Sequence, residues 1–124
     1  ENQLQPQEEF MGLDQYAFSK HGDGFYQWRK HAKLQYFMED HWINDMKMQH
    51  SINGQPIRLT EDLIVQLQRM VDTDELPTRM DGFFYGQDYQ DESAEGYKEY
   101  DLQFCDWALK ELQDGNDIYY ECSY

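Results

Sequence analysis

Positive charge is scarce in this chain: ten lysines and arginines stand against 25 aspartates and glutamates, for a formal net charge of −15. A field of that sign repels nucleic acid and anionic membrane and attracts basic protein surfaces. Cysteine is scarcer still. Cys105 and Cys122 are too few and too widely spaced for a disulfide framework or a zinc knuckle. Two reduced, mostly buried thiols are expected instead, with Cys105 on a helix and Cys122 on the last strand. Long apolar runs are absent, and none approaches the roughly 18 residues that span a bilayer. No basic segment leads into an apolar one as in a secretion signal. A soluble, cytoplasmic protein is the expectation.

Catalytic and cofactor motifs are missing too. Gly82–Gly86, GFFYG, has neither the GxGxxG spacing nor the Lys-Ser/Thr of a phosphate loop. No serine, cysteine or threonine sits in a nucleophile motif. His31 and His41 are ten positions apart, not the i, i+4 pair of a helical zinc site, and Asp88, Asp91 and Glu92 lack EF-hand spacing. No metal and no cofactor are expected. A His31–Glu39 or His41–Asp45 partnership is open to either ring, and buried, hydrogen-bonded histidines are the simpler reading.

Aromatic residues are plentiful: ten tyrosines, seven phenylalanines and three tryptophans, 16% of the chain. A core of flat rings with polar tips is implied. At 124 residues the chain makes one domain that buries roughly two thirds of its unfolded surface. Residues 1–10, polar and Gln-rich, read as a flexible N-terminal arm ahead of a single domain over 11–124.

Leu13–Ser19 alternates as a first strand. His21-Gly22-Asp23-Gly24 is a turn. A long helix is predicted from about Tyr26 to Met48, with Trp28, His31, Leu34, Met38, His41 and Trp42 on one face. Ile57–Leu59 is a short extended piece. Thr60 caps a helix to about Asp72, with Glu61 and Asp62 at its positive end and Leu59 stapled to Ile64. Gly82–Gly86 reads as an aromatic strand and Gln87–Glu92 as an acidic loop. A helix from Ser93 to about Gln113 carries Tyr97, Tyr100, Phe104, Ala108 and Leu112 on one face and stops at Gly115. Asp117–Tyr124 closes the chain as a strand, Ile118, Tyr120 and Cys122 sharing a face. The fold class is α+β: three helices on a small antiparallel or mixed sheet, in the order β-α-α-β-α-β.

Two charged constellations are candidate sites. Arg29, Lys30, His31 and Lys33 concentrate the basic charge and are candidates for binding a phosphate or carboxylate. On a helix, however, consecutive residues diverge by about 100°, so Arg29, Lys30 and His31 would not converge on one substrate. Pairing with the chain's many acids is the alternative. The acids are concentrated in the second half: residues 59–124 hold 17 against 4 Lys or Arg, whereas residues 1–58 hold 8 against 6. Asp88, Asp91, Glu92, Glu95 and Glu99 are the candidates for an acidic binding face. Solubility or a saline setting would account for the same charge.

Met11–Phe18, MGLDQYAF, together with Phe25–Met38, Leu76–Gly86 and the closing Tyr-x-x-Ser, resembles a family of small, mostly phage-encoded, uncharacterised proteins. These open with a Met-Gly-Leu-Asp-x-Tyr strand and continue into a Tyr-Trp-Arg-Lys-type helix. Met11 stands where that family's initiator would be. The chain departs from the pattern at Gln27, at Gln35, where a histidine is common, and at its end, Cys122-Ser123-Tyr124, where tryptophans are usual. Some members are labelled phosphoglycerate kinase, which this short chain without a nucleotide fingerprint does not support.

The resemblance implies a phage-encoded accessory protein in the host cytoplasm. The composition adds binding of a host or phage protein through an acidic surface, with mimicry of duplex DNA as a sharper version. No direct nucleic-acid or membrane binding is expected. The alternatives are a small enzyme acting on a phosphorylated or anionic substrate near Arg29, Lys30 and His31, and a structural or assembly subunit.

Overall fold

The computed structural model describes residues 12–21, 24–79 and 87–124. Four strands, β1 (Asp14–Ser19), β2 (Phe25–Arg29), β3 (Ile57–Leu59) and β4 (Ile118–Ser123), form one antiparallel sheet in the order β2-β1-β4-β3. Three helices, α1 (Ala32–Asp40), α2 (Glu61–Asp72) and α3 (Gln87–Gln113), pack on one of its faces. The fold is α+β as expected, but the order is β-β-α-β-α-α-β.

The long helix expected from Tyr26 is the principal correction. Phe25–Arg29 is a strand paired with β1, Trp28 opposite Gln15 and Tyr26 opposite Ala17. Trp28 is buried as predicted, but from a strand. Trp28, His31 and Leu34 fit a helical period, but Tyr26 and Trp28, two positions apart, share a face only on a strand, and the aromatic residues favour a pleated, half-buried surface. Lys30 then takes a left-handed conformation, φ 61°, which ends the strand and turns the chain into α1. The helical run closes with a π-helical turn, His41–Asp45, three residues short of Met48. Trp42 is buried there, its Nε1 donating to the His50 carbonyl at 2.8 Å.

Other expectations hold. Thr60 Oγ1 accepts from the Leu63 amide at 3.3 Å, and Leu59 and Ile64 are both buried beside this cap. Gly115, φ 89°, follows the end of α3. On β4, Ile118, Tyr120 and Cys122 are buried. Gln87–Glu92 is a correction, because these residues are the first turns of α3 and Ser93 lies inside the helix. Buried Gln90 anchors that start: its amide bonds Thr78 Oγ1 and both the amide and carbonyl of Arg79, and Lys33 pairs with Asp91. The strand expected at Gly82–Gly86 and the arm over residues 1–10 lie outside the described residues.

α3 is 27 residues long, about 40 Å, and clasps the edge strand. Tyr26 meets the rings of Tyr100, Phe104 and Trp107, and Trp28 lies edge-on to Tyr100 and Phe104. The edge amides of β2 are covered as well. Gln27 N–H donates to Tyr100 Oη at 3.0 Å and Arg29 N–H to Tyr97 Oη at 2.8 Å, while Tyr97 Oη donates back to the Arg29 carbonyl at 3.2 Å. Edge strands invite foreign strands unless such groups are occupied. Two tyrosines occupy them here.

Candidate functional site

The structure separates the basic candidates. Arg29 stands on the outer side of β2, 3.7 Å from Asp14. Lys30 sits in the left-handed turn, and His31 is fully buried. Lys33, on α1, pairs with Asp91 at 2.9 Å. Strand, turn and helix set their directions, not a helical 100° step. Arg29 and His31 lie on opposite sides of the sheet and do not face a common ligand.

His31 is the centre of a buried polar network. Its Nε2 lies 2.7 Å from Asp101 Oδ2, and Trp28 Nε1 donates to Asp101 Oδ1 at 2.7 Å. All three residues are 0–1% exposed. Tyr97 stacks on the imidazole at 5.0 Å. The Gln15 amide receives the His31 amide at 2.9 Å and donates to the His31 carbonyl and to Tyr120 Oη. Tyr120 Oη in turn donates to Gln35 Oε1 at 2.6 Å, and Gln35 Nε2 reaches Glu39 and Cys122. Among the described residues, His31 Nδ1 has no partner. An Nε2–H tautomer therefore places the ring's single N–H on Asp101 and leaves only a lone pair unmatched.

A His–Asp pair suggests acid–base chemistry, but none of the clefts described below is lined by it. Its physical work is to satisfy buried polar groups and lock β1, β2, β4, α1 and α3 into one register. Asp101 escaped sequence reasoning, although an acid inside the apolar stripe Tyr97, Phe104, Ala108 was its signal. Gln15, between Leu13 and Ala17, was another. The His41–Asp45 partnership is present at 2.9 Å, whereas His31 chose Asp101 over Glu39.

Burial dominates the ionisable groups around this network. It pushes the Cys105 thiol up to about 12, helped by Asp101, and Cys122 to about 11. It also raises the Tyr120 hydroxyl well above its ordinary value. Both cysteines are free and buried. Glu39 is raised by burial and by Asp40, against the lowering effects of Gln35 and Arg79. It lines a cleft of about 360 Å³ with Trp42, Ile43, His50 and Tyr124.

The acidic candidates fall on α3. Asp88 is in its first turn, and Asp91 is taken by Lys33. Glu92, Glu95 and Glu99 are exposed and, among the described residues, have neither an ion pair nor a hydrogen bond. Their i, i+3, i+7 spacing aligns them along one flank, which continues to exposed Asp106. Two clefts adjoin this flank where α2 meets α3. One, of about 440 Å³, is lined by Lys33, Met70, Asp74, Asp91, Glu95 and Lys98, among others. The other, of about 520 Å³, is lined by Val65, Gln68, Arg69, Asp72, Leu102 and Asp106. Among the described residues, no three His, Cys, Asp or Glu side chains gather in a metal-binding group, and no helix is long and apolar enough to cross a membrane.

Compared with protein-family models, curated proteins and solved structures, the chain matches none.

Proposed function

We propose that this protein works by binding a basic surface of another protein through the outer flank of α3. The observation that carries the reading is the alignment of Glu92, Glu95 and Glu99, exposed and without ionic or hydrogen-bonding partners among the described residues. Unneutralised carboxylates in a row repel one another and contribute nothing to the fold. Their attraction for Lys and Arg is long-ranged and raises the rate of encounter. The resemblance of Met11–Phe18 and Phe25–Met38 to small phage-encoded proteins suggests an accessory role in infection, with a host or phage protein as partner.

Simple mimicry of duplex DNA is the weaker version. From Glu92 to Asp106 the flank presents four carboxylates over about 21 Å, whereas duplex DNA carries about one charge per 1.7 Å. The stripe is several-fold sparser than the duplex, and Arg69 and Lys98 interrupt the surface beside it. A discrete protein contact fits this density better than a nucleic-acid groove.

Affinity capture from host lysate tests the reading. The wild-type chain should retain a partner at low salt and release it as salt rises through the range where the Debye length falls below about 8 Å. The triple variant E92Q/E95Q/E99Q should lose that partner. Capture that survives both high salt and the triple variant overturns the proposal.

A second reading, an assembly subunit, is favoured by one observation. On the sheet face away from the helices, Phe25, Phe18 and Tyr119 stand in register across three strands, with Phe25 58% exposed. Sedimentation equilibrium of Phe25→Ser against the parent separates the two: a parent oligomer that dissociates in the variant supports assembly through this face.

A further inference from the structure

The two clefts at the α2–α3 contact differ in how far their acids are paired: the first keeps one of three open, Glu95, and the second has no acid in an ion pair among the described residues. In the cleft of about 440 Å³, Asp91 and Asp74 are already held by Lys33 and Lys98, at 2.9 and 3.2 Å. In the cleft of about 520 Å³, Asp106 accepts only from the neutral Gln68 amide, at 2.9 Å, and Asp72 has no partner among the described residues. Its apolar wall is Val65, 45% exposed although it is a β-branched aliphatic residue, together with half-buried Leu102. Its size lies within the roughly 300–1,000 Å³ typical of binding pockets.

Leu102 and Asp106 follow Glu95 and Glu99 on the same flank of α3, at i, i+4, i+7 and i+11 from Glu95. An apolar seat therefore lies directly beside the acidic stripe. Resting on the proposed function above, we infer that this cleft seats the apolar side of a basic amphipathic helix from the partner protein. One or two aliphatic or aromatic side chains insert against Val65 and Leu102. Lysines or arginines flanking them face Asp72, Asp106, Glu99 and Glu95. Arg69 shares the rim, but the acids outnumber it.

The occupant is a helix for a physical reason. The backbone groups of α2 and α3 that border the cleft are spent within the helices, so no ladder is offered to an extended strand. A ligand entering here must arrive with its own backbone satisfied, and a helix laying an apolar stripe into a groove does so. Charge alone would hold a basic segment loosely and in many orientations. A desolvated apolar anchor is what fixes one.

The test uses two fluorescein-labelled peptides of about 22 residues, beyond the roughly 12–15 at which isolated helices are marginal. One carries a lysine/arginine face and a leucine row at i, i+3, i+7. The other has the same charges with the leucines replaced by glutamine. Fluorescence anisotropy against the wild-type chain should show the leucine peptide binding at least roughly tenfold tighter. Val65→Asn, at an exposed position and checked for an unchanged melt, should remove most of that difference while leaving the glutamine peptide's weak binding alone. E92Q/E95Q/E99Q should weaken both peptides.

Equal binding of the two peptides, sensitive to salt and to the glutamate variant, overturns the seat and leaves the acidic reading standing. A preference for leucine that Val65→Asn does not diminish likewise overturns the seat at this cleft. Binding of neither peptide overturns both the seat and the reading beneath it.

Discussion

The two flanks of α3 are made from the same helix and have opposite characters. The inner flank presents Tyr97, Tyr100, Asp101 and Phe104 to β2 and α1, and its tyrosine hydroxyls and carboxylate oxygens are all hydrogen-bonded. The outer flank presents Glu92, Glu95 and Glu99 to solvent. An acid on the inner flank is part of the fold, because removing it strands buried donors. An acid on the outer flank is dispensable to the fold, because water solvates it equally well folded or unfolded. Where a side chain points, rather than its charge, decides which kind of loss its mutation brings.

That contrast is sharpest at Asp101. Asp101→Ala leaves Trp28 Nε1 and His31 Nε2 buried without acceptors, and a loss of about 3–5 kcal/mol is expected. Chemical denaturation measures it, and a midpoint within error of the parent would break the distinction between the flanks.

Gly24 probes the seam between the β1–β2 hairpin and the inner flank. Its φ of 125° suits glycine, and a Cβ there would stand 2.4 Å from Trp107 Nε1. Backbone and ring both oppose the side chain. Gly24→Ala should cost about 2–4 kcal/mol, read from the same denaturation curves. A smaller loss would mean that the indole of Trp107 yields.

Glu39, at the rim of the inner network, supplies a pH test. Its folded-state value is raised, so the folded protein binds this proton more tightly than the unfolded chain does. Stability contributed by the protonated carboxyl is therefore present at low pH and declines as pH rises through the window above the ordinary value of about 4.3. Glu39→Gln should remove that component, so the variant gains on the parent as pH climbs through the window. Parallel stability–pH curves for the two proteins would count against it.

The smallest effect belongs to the outer flank. E92Q/E95Q/E99Q should unfold within about 0.5 kcal/mol of the parent, with any shift toward greater stability as repulsion along the stripe falls. A substantial destabilisation would show that these carboxylates are structural after all, and would leave the acidic binding face without its premise.

Local chemistry made several elements legible. Thr60 with Glu61 and Asp62, the alternation of Ile118, Tyr120 and Cys122, and Gly115 each act within a few residues, so caps, periods and stops could be read directly. The clustering of exposed acids in the second half was legible as well, since counting needs no coordinates. Phe25–Arg29 was not. Trp28 fits a helical period with His31 and Leu34 as well as a strand face with Tyr26, and the strand prevails because β1 supplies the ladder and α3 supplies Tyr97, Tyr100, Phe104 and Trp107 to cover it. The start of α3 at Gln87 was hidden in the same way, fixed by Gln90 reaching back to Thr78 and Arg79.

By itself, then, the sequence determined the α+β class, the cap and end of α2, the stop of α3, the faces of β1 and β4, and the acidic second half, all governed by neighbours along the chain. Only the tertiary structure decided that Trp28 lies on a strand, that His31 takes Asp101 as its partner across 70 residues, and that Val65 and Leu102 form one cleft. Those outcomes depend on contacts whose partners are remote in sequence, and no local period or propensity records which remote side chain will arrive.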